Sequence, residues 1–169
     1  VSQTIITASN DTTRPVLTGV YWHSLEGALY LAATDGYRLS ERRLIETDSE
    51  VTAIVPASSL QEVLRSLNES IEEIEILFDE VQVKFMAGDT EIVSRLIDGK
   101  FIDYRQLIPK NTETVVNLDK SEFVRVVKIS SLFARESGGS ITLKANDETS
   151  KLSIHSIASE LGENTSEAD

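Results

Sequence analysis

Over the first hundred residues, apolar positions alternate with polar ones in short runs broken by Gly, Asp and Asn, the period-two signature of pleated strands. Residues 15–46 read as three strands, with Val20-Tyr21-Trp22 in the first and alternating Leu29, Leu31 and Ala33 in the second, turned at Glu26-Gly27 and Asp35-Gly36. Asp-Gly between strand-like runs suits a two-residue hairpin turn, because Gly takes a positive φ at no steric cost. A strand over 51–55 runs into Pro56, and there the period changes. Leu60, Val63, Leu64 and Leu67 recur at i, i+3, i+4 and i+7, the spacing of one buried helical face, and Ser58 with Gln61, or Ser59 with Glu62, offers a capping box at its start. Strands follow over 74–78, 81–85 and 91–96, turned at Asp79-Glu80 and Gly88-Asp89 and closed by Asp98-Gly99.

The order then begins again. Val115-Val116 leads to Asp119, a helix cap with Glu122 three residues on; Phe123, Val126 and Val127 share a helical face, and 141–144 and 152–157 form a hairpin around Asn146-Asp147. Two copies of strand, helix, strand, strand about 60 residues apart predict an α+β architecture of repeated units. The second copy looks incomplete: from 160 to 169 the chain turns acidic and small, as expected of a frayed or cut end. Residues 1–8 are β-branched enough to read as a strand on propensity alone.

Composition narrows the chemistry. No run approaches the roughly 20 apolar residues that span a bilayer, and no basic-then-apolar leader is visible, so a cytoplasmic setting is the default. The absence of cysteine removes disulfides and thiolate sites, and His23 and His155 are too far apart in sequence to suggest a metal cluster; neither metal nor cofactor is expected. Sixteen Lys and Arg against 28 Asp and Glu leave a net charge of −12, which argues against a broad basic face gripping a phosphate backbone.

Catalytic patterns are missing: there is no Gly-x-Ser-x-Gly, P-loop, His-Glu-x-x-His or Gly-x-Gly-x-x-Gly. Ser137-Gly138-Gly139-Ser140 reads as a loop, and Glu72-Glu73 and Asp147-Glu148 as solvated turn charge. Asp35 could serve as a nucleophile or metal ligand, but with Gly36 beside it a hairpin turn is the simpler role. Arg65 on the first helix and Lys120, Arg125 and Lys128 on the second are basic; Arg125 and Lys128, three apart, share a face that is either plain solvated surface or a DNA-facing stripe.

Three motifs carry a family resemblance. Arg14-Pro15-Val16-Leu17-Thr18-Gly19-Val20 precedes Leu31-Ala32-Ala33-Thr34-Asp35-Gly36-Tyr37-Arg38-Leu39; some sixty positions on comes Ser94-Arg95-Leu96-Ile97-Asp98-Gly99-Lys100-Phe101-Ile102-Asp103-Tyr104-Arg105-Gln106-Leu107-Ile108-Pro109. In this order and spacing they resemble the bacterial β sliding clamp, the β subunit of DNA polymerase III. The likeness is dense over 14–109 and continues as a pattern beyond. It implies the DNA clamp fold, with sheets outside and helices lining a ring around duplex DNA. It also implies a head-to-tail homodimer, no catalysis, and partners that include the polymerase, the clamp loader and other proteins carrying clamp-binding motifs. An acidic ring is compatible with DNA if only the helices facing the hole are basic.

On that plan 1–112 corresponds to most of the middle domain, without its first strand and part of its first helix, and 113–169 to the first half of the third. Residues 1–9 would then be a helix end. The resemblance assigns a peptide pocket to Leu17, Thr34, Gly36, Tyr37, Arg38, Leu39, Ile102, Gln106 and Leu107. Ile102 stands where proline is usual and Gln106 where arginine is frequent, and the wall from the end of the third domain is absent, so weakened peptide binding is expected. Two other readings remain: a clamp-fold interaction module that does not encircle DNA, and an Asp35-dependent enzyme assisted by Arg38 or His23.

Overall fold

The computed structural model describes residues 1–135, 138–146, 151–158 and 162–168. The chain divides into two compact units, Val1–Ile108 and Pro109–Asp169. The first holds α1 (Ser2–Ile5), β1 (Gly19–Leu25), β2 (Ala28–Thr34), β3 (Leu39–Glu46), β4 (Thr52–Pro56), α2 (Ala57–Ser66), β5 (Glu75–Phe78), β6 (Gln82–Ala87) and β7 (Thr90–Arg95). The second holds α3 (Lys120–Ala134), β8 (Thr142–Asn146), β9 (Lys151–Ala158) and β10 (Gly162–Ala168).

The sheets run β3-β2-β1-β4, β5-β6-β7 and β10-β9-β8, and every paired neighbour is antiparallel. The repeat is therefore a helix followed by a three-stranded meander, seen after α1, α2 and α3, with β4 added beside β1. The strand expected at Val115-Val116 is not formed: both valines are exposed in irregular chain, and among the described residues no strand pairs with them. The tail expected to fray is instead β10, paired with β9 from Gly162↔Ala158 to Ala168↔Leu152. Ladder bonds overrode its acidic, weakly β-forming composition. Residues 1–8, strand-like by propensity, start with the short helix α1, which buries Thr4 and Ile5. Of the loop at 137–140, Ser137 lies outside the described residues, as do Asp147 and Glu148.

In the first sheet β1, β2 and β4 are covered on both sides, while the edge strand β3 is largely exposed. Val20, Trp22, Leu29, Leu31, Ala33 and Val55 face a core shared with Ile5, Leu60, Val63, Val83 and Phe85. Phe78 and Phe85 pack on the Trp22 ring at centroid distances of 5.7 and 6.3 Å. On the opposite side Ala32 and Ile54 join Leu17, Phe101 and Tyr104. That double burial is why β2 reads Ala-Leu-Tyr-Leu-Ala-Ala with little polar interruption. In α2 the capping box does not form: the helix follows Pro56 directly with no side-chain cap, Ser59 bonds Ser94 (2.7 Å), and the helix ends one residue before Leu67. The Asp119 cap does form, accepting from the Glu122 amide at 2.8 Å, and Val126 is buried with Phe123 and Val127 packed beside it.

Candidate functional site

The turn between β2 and β3 is longer than the two residues expected. Thr34 pairs with Leu39, so 35–38 form a four-residue loop. Its shape comes from side chains acting on backbone. The Thr34 hydroxyl accepts from the Gly36 amide (3.0 Å) and donates to the Arg38 carbonyl (2.7 Å). Asp35 Oδ1 accepts from the amides of Tyr37 (2.9 Å) and Arg38 (3.0 Å), while Oδ2 accepts from Arg38 Nε at 3.0 Å. These donors, the backbone amides first, hold the Asp35 carboxyl below its ordinary range. A carboxylate committed to three donors is a structural cap with little basicity for proton abstraction. Gly36 has φ +97°, which favours glycine.

The loop presents Tyr37 outward at 98% exposure, while Thr34 is buried. Beneath it Leu39 and Val16 pack on the cluster of Leu17, Ala32, Ile54, Phe101 and Tyr104. This cluster joins three segments distant in sequence, around 17, 39 and 101–104. Tyr104 also opens a 3₁₀ turn, Tyr104–Leu107, which carries Leu107 at 65% exposure; Ile102, just before it, is 39% exposed. Gln106 donates to Asp103. Leu17 and Thr34 are thus buried, whereas Tyr37, Ile102 and Leu107 are exposed. A cleft of about 700 Å³ lined by Tyr21, Ile54, Val81, Arg95 and Phe101 includes none of the residues expected from sequence.

Residues 1–103 match the family model described as DNA polymerase III beta subunit, central domain. The chain belongs to the DNA polymerase III β subunit family. It is 37% identical over 172 residues to the beta sliding clamp of Staphylococcus aureus, covering 100% of this chain and 45% of that protein. The Bacillus subtilis sliding clamp structure superposes with a TM-score of 0.84 at 32% identity, covering 99% of this chain and 45% of the other. The Streptococcus pneumoniae β chain gives 0.86 at 27% identity, again over 99% and 45%. The chain therefore spans a little under half the length of these relatives, and its fold is the clamp fold.

The basic positions lie on helices in both units. Arg65 on α2 is exposed and pairs with Glu62. On α3 of this clamp-family chain, Arg125 and Lys128 are exposed away from buried Val126 and Ser130, Arg125 lies 3.6 Å from Glu122, and Lys120 is exposed in the first turn. Exposed Val124, Ile129 and Leu132 share that helix surface, an apolar component the charge pattern did not reveal. No helix among the described residues is long and apolar enough to cross a membrane.

The polar network around Tyr104 was not foreseen from the sequence. His23, which the sequence offered only as a helper to Asp35 in the enzyme alternative, is buried, with Nε2 2.7 Å from the Tyr104 hydroxyl; that hydroxyl donates to Glu41, which also takes Arg105 Nε at 3.0 Å. The available signal was Tyr21 and His23 alternating on one face of β1, opposite Tyr30 on β2. His155 bonds Thr165 at 2.9 Å within the β9–β10 pair.

Proposed function

We propose that this chain forms part of a ring-shaped, non-catalytic processivity clamp that encircles duplex DNA and tethers polymerase and other replication proteins through a peptide pocket. In this reading Val1–Ile108 is most of the middle clamp domain and Pro109–Asp169 the first half of the next. The relatives' names, sliding clamp and DNA polymerase III beta chain, support it. The observation that carries the pocket is the cluster of Leu17, Leu39, Phe101 and Tyr104: it draws three motif segments together, and Tyr37, Ile102 and Leu107, close to these residues in sequence, are exposed.

An extended peptide with apolar and aromatic side chains is the fitting occupant, since each buried anchor contributes roughly 1.5–3 kcal/mol. Association and ordering cost about 4–15 kcal/mol, so affinity is modest and sensitive to a single anchor. Leu107→Ala is expected to weaken binding of a labelled peptide carrying two leucines and a phenylalanine by about tenfold or more, read by fluorescence anisotropy. Equal affinity in the variant would remove the pocket. Encirclement has its own test: on a ring assembled from protein containing this chain, cutting a circular template should release it, whereas release insensitive to cutting would favour an interaction module that does not surround DNA.

A further inference from the structure

On the outer face of the first sheet, five flat groups form a column across β1 and β2. Phe101 stacks on Tyr21 (5.0 Å, 11°), Tyr21 on His23 (4.8 Å, 18°) and His23 on its cross-strand partner Tyr30 (5.7 Å, 18°); the Arg105 guanidinium lies 4.6 Å from the Tyr30 centroid. Both ends of the column, Phe101 and Arg105, come from one short segment, which straddles the aromatic groups of the sheet. Between those ends Tyr104 inserts its hydroxyl. It donates to Glu41 Oε2, and its oxygen lies 2.7 Å from His23 Nε2, so a neutral His23 carrying its proton on Nε2 completes the chain of donors and acceptors. Glu41 Oε2 accepts a second bond, from Arg105 Nε.

The segment that carries Leu107 is short. It is a single 3₁₀ turn, flanked by bonds from Tyr104 N–H to Ile102 O (2.9 Å) and Ile108 N–H to Arg105 O (3.4 Å), with a local side-chain bond from Gln106 to Asp103. One turn of 3₁₀ helix is too short to hold itself in place without tertiary contacts. Its placement is imposed by the sheet through Tyr104 and Arg105, and Leu107 follows within the same turn.

We infer that His23 and Glu41 are positioning residues for peptide docking, fixing the Tyr104–Leu107 turn through Tyr104 and Arg105 so that Leu107 is held at the pocket edge. This rests on the pocket reading above. Neither residue needs to touch the peptide: His23 is buried, and Glu41 acts through the turn.

Tyr104→Phe and His23→Phe keep flat rings in the column while removing the hydroxyl bridge or its imidazole partner. Glu41→Gln leaves Tyr104 an acceptor but removes the charge that faces Arg105. In the full chain, amide hydrogen exchange at 102–108 should accelerate by roughly three- to tenfold in the two Phe variants and less in Glu41→Gln, with β1 and β2 amides unchanged. The labelled peptide should lose affinity in the same order. Unchanged exchange at 102–108, or acceleration spread evenly through β1 and β2, would overturn the inference, the latter because the network would then hold the sheet instead of the turn. Local acceleration with unaltered affinity, in a protein where Leu107→Ala does weaken the peptide, would also overturn it. If Leu107→Ala leaves affinity intact, the pocket reading fails and the docking role falls with it, while the exchange result still reports whether the network holds the turn.

Discussion

Two buried side chains make the sharpest residue-level predictions. Thr4 is fully buried and its hydroxyl has no hydrogen-bond partner among the described residues, so the group is desolvated without compensation from them. Thr4→Val keeps the shape and removes the polar atom; it should raise stability by about 1 kcal/mol in urea unfolding followed through Trp22, the chain's single tryptophan. His23 predicts a pH dependence. Burial first, then the positive charge of Arg105, holds its pKa below the ordinary 6.5 against the pull of Glu41; Tyr21, Tyr30 and Tyr104 complete its surroundings. The unfolded chain therefore takes up the proton first as pH falls. The His23 contribution is constant above about pH 6.5 and declines from there to the lower folded pKa. Unfolding midpoints at about pH 7.5 and about pH 5.5 should differ more in the wild type than in His23→Phe, and an identical difference would count against this environment.

At the scale of elements, the helices differ in how they begin, and local sequence explains only one of the two longer ones. Asp119 caps α3 as its motif suggests, so Asp119→Ala should cost about 1 kcal/mol, seen as a lower thermal midpoint for the second unit by circular dichroism. The α2 start shows the opposite outcome. Ser59 and Ser94 bond to each other across 35 residues, a tertiary contact that competes with a local cap. The loop 35–38 lies between these cases: Asp-Gly located the turn correctly, but its length was set by the Thr34↔Leu39 register and by Asp35 binding two amides in place of one tight reversal.

For the whole molecule, a net charge of −12 requires that any attraction to DNA come from local basic surface. If α3 faces duplex DNA in an assembled clamp, Arg125→Ala and Lys128→Ala should each reduce the slope of log affinity against log salt by about 1, measured on a closed circular template; an unchanged slope would assign these residues to plain solvated surface. Much of the fold was legible in the chain. Period-two runs located β1–β9, the 3.6-residue period located α2 and α3, and three spaced motifs carried the family, because these signals are written in contiguous residues. What the sequence could not decide was pairing and burial. The acidic run at 162–168 became β10 because β9 offered it a ladder, and Val115-Val116 stayed irregular, with no strand among the described residues pairing with it. The motifs named Leu17, Leu39 and Leu107, but that Leu17 is buried and Leu107 exposed emerged only in the folded chain, where Tyr104 and Arg105 meet His23, Glu41 and Tyr30 across the sheet. A side chain's periodicity is fixed by its own strand or helix, whereas its partners are fixed by segments sixty or more residues away that only the folded chain brings within a hydrogen bond's reach.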